Sequence, residues 1–265
     1  MSASDLLKSG DLTGALSALQ NDVRSNAADG KLRIFLFQLL SVMGDWNRAV
    51  AQLKISAEMV PAAIPMAQTY REGIICEVYR EKVFAGEKAP LIFGEPQEWC
   101  ALLIEALKAQ AAGNLEQAAE IRARAFEAAP ATPGELNGEP FEWIADADMQ
   151  LGPLLEVVVN GKYYWMPFNV ISSVVFEDPA DLRDAVWTPA EIKLANGGDI
   201  VALIPTRYAG TVADGDDAEK LARATRWVDR GSETYTGVGQ RLLTTNVGDT
   251  GLMDVRTLKL DGADG

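Results

Sequence analysis

The chain has 265 residues, 48% hydrophobic and 23% charged, which is enough for two domains with a core in each and argues against disorder. It contains no histidine, and so lacks the usual general base of serine and cysteine hydrolases and the commonest transition-metal ligand. The net charge of −14 falls mostly on residues 131–265, with 22 acidic against 11 basic side chains where residues 1–130 carry 16 and 13, a balance that disfavours nucleic acid and anionic membrane.

Nothing at the N-terminus resembles a basic, apolar, cleavable signal, and the longest apolar stretch, Ile34 to Met43, is too short to span a bilayer, so the expectation is a cytoplasmic protein. Residues 4 to about 130 carry apolar side chains at helical spacing. Within them Gly10-Asp11-Leu12, with Ala15 and Leu19, recurs 34 residues later as Gly44-Asp45-Trp46, with Ala49 and Leu53, and again as Gly113-Asn114-Leu115, with Ala118. That period is the period of a tetratricopeptide array: the glycine marks a tight turn, the small alanine lets two helices approach, and Ala27, Pro61 or Pro130 follows the glycine by seventeen residues. Such units stack, and stacking builds a binding surface.

The second and third glycines stand 69 positions apart, and the gap holds a helix around 67–84 and a Gly/Pro-rich insertion from Ala85 to Pro96. The helix mixes aromatic and charged residues where the repeat is least regular, so Tyr70, Arg71, Ile74 and Tyr79 are the expected partner-binding residues. Ile74, Ile75 and Val78 make one apolar stripe, and Trp99, Leu102, Leu103 and Ala106 another. Cys76 and Cys100 both fall on helical stretches and read as buried core thiols. The echo of Gly94-Glu95-Pro96-Gln97-Glu98-Trp99 in Gly138-Glu139-Pro140-Phe141-Glu142-Trp143 reads as two helix starts, each burying a tryptophan one turn in.

A Pro/Gly-rich stretch, residues 131–150, bridges to a β half, 151–260. Leu154–Val159, the turn Asn160-Gly161 and Lys162–Phe168 form a hairpin, with Tyr163 and Trp165 on one face and Tyr164 on the other. Ile171–Phe176 is a strand, and Glu191–Leu194 and Ile200–Ile204 flank the turn Asn196-Gly197-Gly198. A short helix from Ala218 to Ala224 precedes strands near 226–228, 239–243 and 252–258, and the tail from Asp261 to Gly265 frays. Six or seven short strands with tight turns suggest a small barrel or a strongly bent sheet. The fold class is therefore α+β in two domains, a tetratricopeptide-like superhelix (1–130) and a small, mostly β domain. Glu142, Asp146 and Asp148 are the one crowd of carboxylates; they fit a helix-capping or bridging role, with hydrolase or cation chemistry as the alternative. No cofactor loop and no metal-ligand spacing stand out.

Taken together, Gly44-Asp45-Trp46, Ala67–Glu72, Gly94-Glu95-Pro96 with Glu98-Trp99, Phe141–Asp148, Asn160–Trp165, Leu194–Gly198 and Leu203–Tyr208 resemble the ImpE (TagJ, SciE-type) family of type VI secretion accessory proteins, over about residues 6–258. The resemblance implies a non-catalytic cytoplasmic adaptor of the contractile sheath, without cofactor, that binds the N-terminal helix of the small sheath subunit TssB and is linked with the recycling ATPase ClpV. It carries over no catalytic residues. A self-associating assembly subunit is the rival reading, and the sequence leaves the oligomeric state open.

Overall fold

A computed structural model describes residues 1–261, so the tail expectation lies, from Gly262 on, outside the described residues. The first half is helical: α1 (Ala3–Lys8), α2 (Leu12–Ser25), α3 (Gly30–Val42), α4 (Trp46–Met59), α5 (Ile64–Phe84), then a two-residue strand β1 (Leu91–Ile92), α6 (Glu98–Ala111) and α7 (Leu115–Ala128). The repeat glycines do what their spacing requires. Gly10, Gly44 and Gly113 turn the chain with φ of 85°, 74° and 83°, a left-handed region that favours glycine. The aspartates that follow two of them cap the next helix, Asp11 accepting from the Gly14 N–H at 2.7 Å and Asp45 from the Arg48 N–H at 3.3 Å. Ala15, Leu19, Ala49, Leu53 and Ala118 are all buried in the seams. The helices thus pair as α1 with α2, α3 with α4 and α6 with α7. Helix α5, the longest at 21 residues, follows α4 and packs against it.

The second half contributes β2 (Gly134–Leu136), β3 (Glu139–Phe141), β4 (Ile144–Asp146), β5 (Leu154–Val159), β6 (Lys162–Pro167), β7 (Ile171–Phe176), β8 (Trp187–Leu194) and β9 (Asp199–Pro205). Two four-residue helices, α8 (Thr211–Asp214) and α9 (Asp217–Lys220), lead into β10 (Thr225–Asp229), β11 (Tyr235–Gly239), β12 (Leu242–Thr245), β13 (Gly248–Gly251) and β14 (Thr257–Leu260). Nine strands form one sheet in the order β1-β6-β5-β9-β8-β7-β14-β2-β3; β13-β12-β4 form a second and β10-β11 a third. Every pairing is antiparallel except β1 with β6.

The sheet is open, with β1 and β3 at its edges, which replaces the barrel alternative with a bent mixed sheet. Its curl follows from the core: one cluster gathers Val157 and Leu155 from β5, Val174 from β7, Leu258 from β14 and Leu136 from β2, strands far apart in the sheet order. Its other face packs on the helices, and there Trp165, Trp187, Leu203 and Leu154 share one cluster with Phe37, Leu53, Tyr70 and Leu103. Both faces of the first hairpin are therefore covered, Tyr163 and Trp165 by helices and Tyr164 by the second cluster.

Residues 131–150 hold three short strands, β2, β3 and β4. Three local expectations change. The stretch from Gly138 to Trp143 starts no helix: Asn137 (φ 52°) and Gly138 (φ 88°) make the tight turn between β2 and β3, and Trp143 stays 38% exposed. Its counterpart does open α6, burying Trp99. On α5 the stripe turns, because Ile74 is buried while Ile75 is 54% exposed; and the helix expected over 218–224 shortens to α9.

The two halves also touch through individual residues. At Gly73 of α5 a Cβ would stand 3.4 Å from Leu203 and from Trp187, so the helix lies directly on the sheet. Gly44 is covered by Val212 of α8, whose Cγ1 would be 2.2 Å from a Cβ there. Asp217 of α9 accepts from the Leu12 N–H at 3.0 Å, adding to the start of α2.

Candidate functional site

Helix α5 has two working faces. Its outer face, with α4, walls an apolar groove of about 400 Å³. Val50, Leu53 and Ala57 come from α4 and Ile64 and Ala67 from α5, while Lys54 and Arg71 stand exposed at the rim. Ile64, 43% exposed, leaves one end of the groove apolar toward solvent.

The four residues expected to bind a partner do not share this face. Arg71 does, at the rim. Tyr70 is buried against the sheet, its ring 5.9 Å from Phe37 and 5.6 Å from Trp187, with the Arg183 guanidinium 4.7 Å above it. Each such aromatic pair contributes about 0.5–1.5 kcal/mol beyond area burial, so Tyr70 serves packing. Ile74 joins the same core. Tyr79 is half-buried and donates to the Ala89 carbonyl at 2.7 Å, holding down the chain that leads to β1.

The inner face of α5 carries charge into the interior. Arg80 forms two parallel bonds to Glu156 of β5, Nε to Oε1 at 2.6 Å and Nη2 to Oε2 at 2.8 Å. On the far side of Glu156, Arg241 approaches Oε2 at 3.2 Å and reaches Asp146 of β4 at 2.6 Å. The side chains of Glu156, Arg241 and Asp146 are 0% exposed. Tyr163 donates to Glu156, and the Trp165 indole donates to the Tyr163 hydroxyl at 2.7 Å. Burial opposes the charge on Glu156, but Arg80 and Arg241 outweigh it and hold the carboxyl below its ordinary range. An ionic row thus crosses the molecule from helix to sheet to the small second sheet.

This row accounts for the carboxylates singled out by spacing. Asp146 is committed to Arg241 and to the Asp148 N–H at 2.8 Å. Asp148 accepts from the N–H groups of Gln150 at 2.8 Å and Gly237 at 2.9 Å, tying β11 to the turn after β4. Burial, then the neighbouring Asp146 charge, push its carboxyl up to about 7. Glu142 stands at the surface and does not join them. Cys76 and Cys100 are buried free thiols, and burial pushes both up to about 12, away from thiolate reactivity.

A second apolar cleft, about 390 Å³, opens where α7 meets β4, between Phe126, Pro130, Trp143, Met149 and Pro153. Sequence reasoning missed both clefts and the ionic row. One signal was available for the row: Glu156 interrupts the apolar run Leu154–Val159, every residue of which is buried.

What these parts define is an α+β protein in which helical hairpins are docked on an open bent sheet, with apolar grooves on its surface and its charge chemistry locked inside. A family model described as ImpE protein matches residues 138–259. The type VI secretion system accessory component TagJ of Pseudomonas aeruginosa is 52% identical over 264 residues, which cover 100% of this chain and 92% of that protein. The crystal structure of protein VPA1032 from Vibrio parahaemolyticus superposes with a TM-score of 0.88 at 26% identity, covering 98% of this chain and 97% of that one. The chain belongs to the ImpE family. Among the described residues no helix is long and apolar enough to cross a membrane.

Proposed function

We propose that this protein is an accessory component of a type VI secretion system, acting in the cytoplasm as a non-catalytic adaptor whose tetratricopeptide-like helical layer holds a segment of another protein. The observation that carries the reading is 52% identity, over the whole chain, to a protein named as a type VI secretion system accessory component. The expected partner is the N-terminal helix of the small sheath subunit TssB, and through it the sheath-recycling ATPase ClpV. The α4–α5 groove suits an amphipathic helix: its floor is apolar, and Lys54 and Arg71 at the rim complement carboxylates on the helix flanks. Ordering a free segment opposes binding, so affinity is expected to be on the order of micromolar.

Calorimetric titration of that peptide into the full chain tests the reading. Binding lost in Ile64→Glu and retained in Trp143→Ala supports the α4–α5 groove; the reverse pattern moves the site to the cleft beside α7, and no binding to either sinks the partner assignment. One observation favours self-association instead: Val175 and Val201, 51% and 70% exposed, flank Glu191 in a cross-strand row on the open part of the sheet. Sedimentation of Val201→Lys against the unchanged chain decides it, since a self-associating face would lose mass.

A further inference from the structure

Arg207, just after β9, is only 4% exposed. Its Nη1 donates to the carbonyls of Val42 at 2.7 Å and Lys220 at 2.6 Å, and its Nε and Nη2 have no acceptor among the described residues. No carboxylate pairs with it there either, whereas the equally buried Arg80 and Arg241 each have two. Arg122, also without a carboxylate, engages both terminal nitrogens on Thr234 and Gln110. An unpaired, buried guanidinium is costly unless something neutral or negative meets it.

Arg207 lines a chamber of about 210 Å³, walled also by Glu77, Arg80, Glu81 and the chain from Ala209 to Ala213. Glu77 uses Oε2 to accept from Arg80 at 3.3 Å and keeps Oε1 free. Glu81, Ala209 and Gly210 also line a wider cleft of about 410 Å³, which gives the chamber a way in.

We propose that this chamber is a binding site for a small oxyanion, a carboxylate or a phosphate, held by two parallel N–H···O bonds from Nε and Nη2 of Arg207. Guanidinium presents those two donors in one plane at the spacing of two oxygens, a match that an ammonium lacks. Glu77 lines the same chamber; burial pushes its carboxyl up, and Arg80, which donates to its Oε2 at 3.3 Å, offsets its charge toward a bound anion. Burial likewise pushes Arg207 down to about 10, still charged at neutral pH. The site is independent of the helical partner and of the α4–α5 groove.

The test is calorimetry and thermal melting of the full chain with inorganic phosphate and, separately, malonate, at ionic strength held constant with sodium chloride. Saturable one-site binding of either anion, with a matching rise in Tm, is the expected result, and which anion binds more tightly identifies the source. Arg207→Lys keeps the charge and loses the fork; Ala209→Leu narrows the passage and leaves both carbonyl bonds in place. Each is expected to weaken binding about tenfold or more, and if Arg207→Lys does not fold, Ala209→Leu decides alone. No saturable binding up to about 20 mM, a weaker affinity than any useful site, or binding that survives in the folded variants, overturns the proposal.

Discussion

The two faces of α5 solve opposite problems with the same helical spacing. The outer face is apolar and meets solvent at Ile64 and the groove; the inner face carries Glu77 and Arg80, and is buried. An apolar surface left exposed is tolerable singly and becomes useful when a partner covers it. A charge left buried is costly unless it is met by opposite charge or hydrogen bonds, and Arg80, Glu156, Arg241 and Asp146 match one another in sequence. The lesson is that an exposed greasy groove and a buried ion row are complementary readings of one element: the first is the surface proposed for binding, the second fixes where that surface sits.

The strongest way to break this comparison is to remove the sheet. A fragment of residues 1–150 loses Trp165, Trp187 and Leu203 from the cluster that α3, α4 and α5 share with them. It is expected to show no cooperative melt by circular dichroism; a sharp transition would mean that the helical layer has a sufficient core of its own, and that the 1–130, 131–150 and 151–260 divisions mark folding units. Next in size, Arg80→Met strands Glu156 with a single arginine, and a cost of about 3–5 kcal/mol is expected in urea unfolding. Glu156→Gln should cost less, since it keeps hydrogen-bonding capacity; equal losses would show that the row's charge is incidental.

Asp148 offers a pH-dependent cut. Its ordinary value is 3.8 and its folded value about 7, so the folded protein binds this proton more tightly and stability from this group falls as pH rises from about 4 to about 7. The neighbours that set it are Asp146, Glu156 and Arg122. Glu156 has the opposite sign, its contribution being lost on acidification. In Asp148→Asn the falling part of the profile should become shallower by on the order of a few kcal/mol across the window, Glu77 and Asp146, also pushed up by burial, keeping the remainder; parallel profiles would place the titration elsewhere. Smallest of all, Arg71→Ala and Ile64→Glu should change stability by no more than about 0.5 kcal/mol, as surface substitutions do, while Ile64→Glu abolishes partner binding. A large stability loss would mean that the outer face is structural too.

Much of this could be read in the residues. The glycine turns at 10, 44 and 113, the hairpin 154–167 and the strand 171–176 are local devices whose spacing or turn chemistry is written in a few adjacent positions. The β2–β3 hairpin was equally local, in Asn137-Gly138, but the likeness of the following hexapeptide to the start of α6 pointed the wrong way. The ionic row was not local at all: Arg80 and Glu156 lie 76 positions apart, Arg241 and Asp146 95. Nor could periodicity separate Tyr70 from Arg71, because adjacent helical residues diverge by about 100° and which of them meets the sheet depends on a strand more than a hundred residues away.

The contacts of Val212 with Gly44 and of Asp217 with Leu12 have a consequence for how many hairpins this chain can hold. A free solenoid gains or loses units by duplication, since each unit knows only its neighbours. Here the opening of the second helix in the chain and the turn before the fourth are each read by a residue from the distant short helices α8 and α9. Duplicating or deleting a hairpin between residues 12 and 44 would pull those two fixtures out of register by a full repeat. The number of hairpins in this chain's helical layer is therefore tied to the second half of the chain at two points.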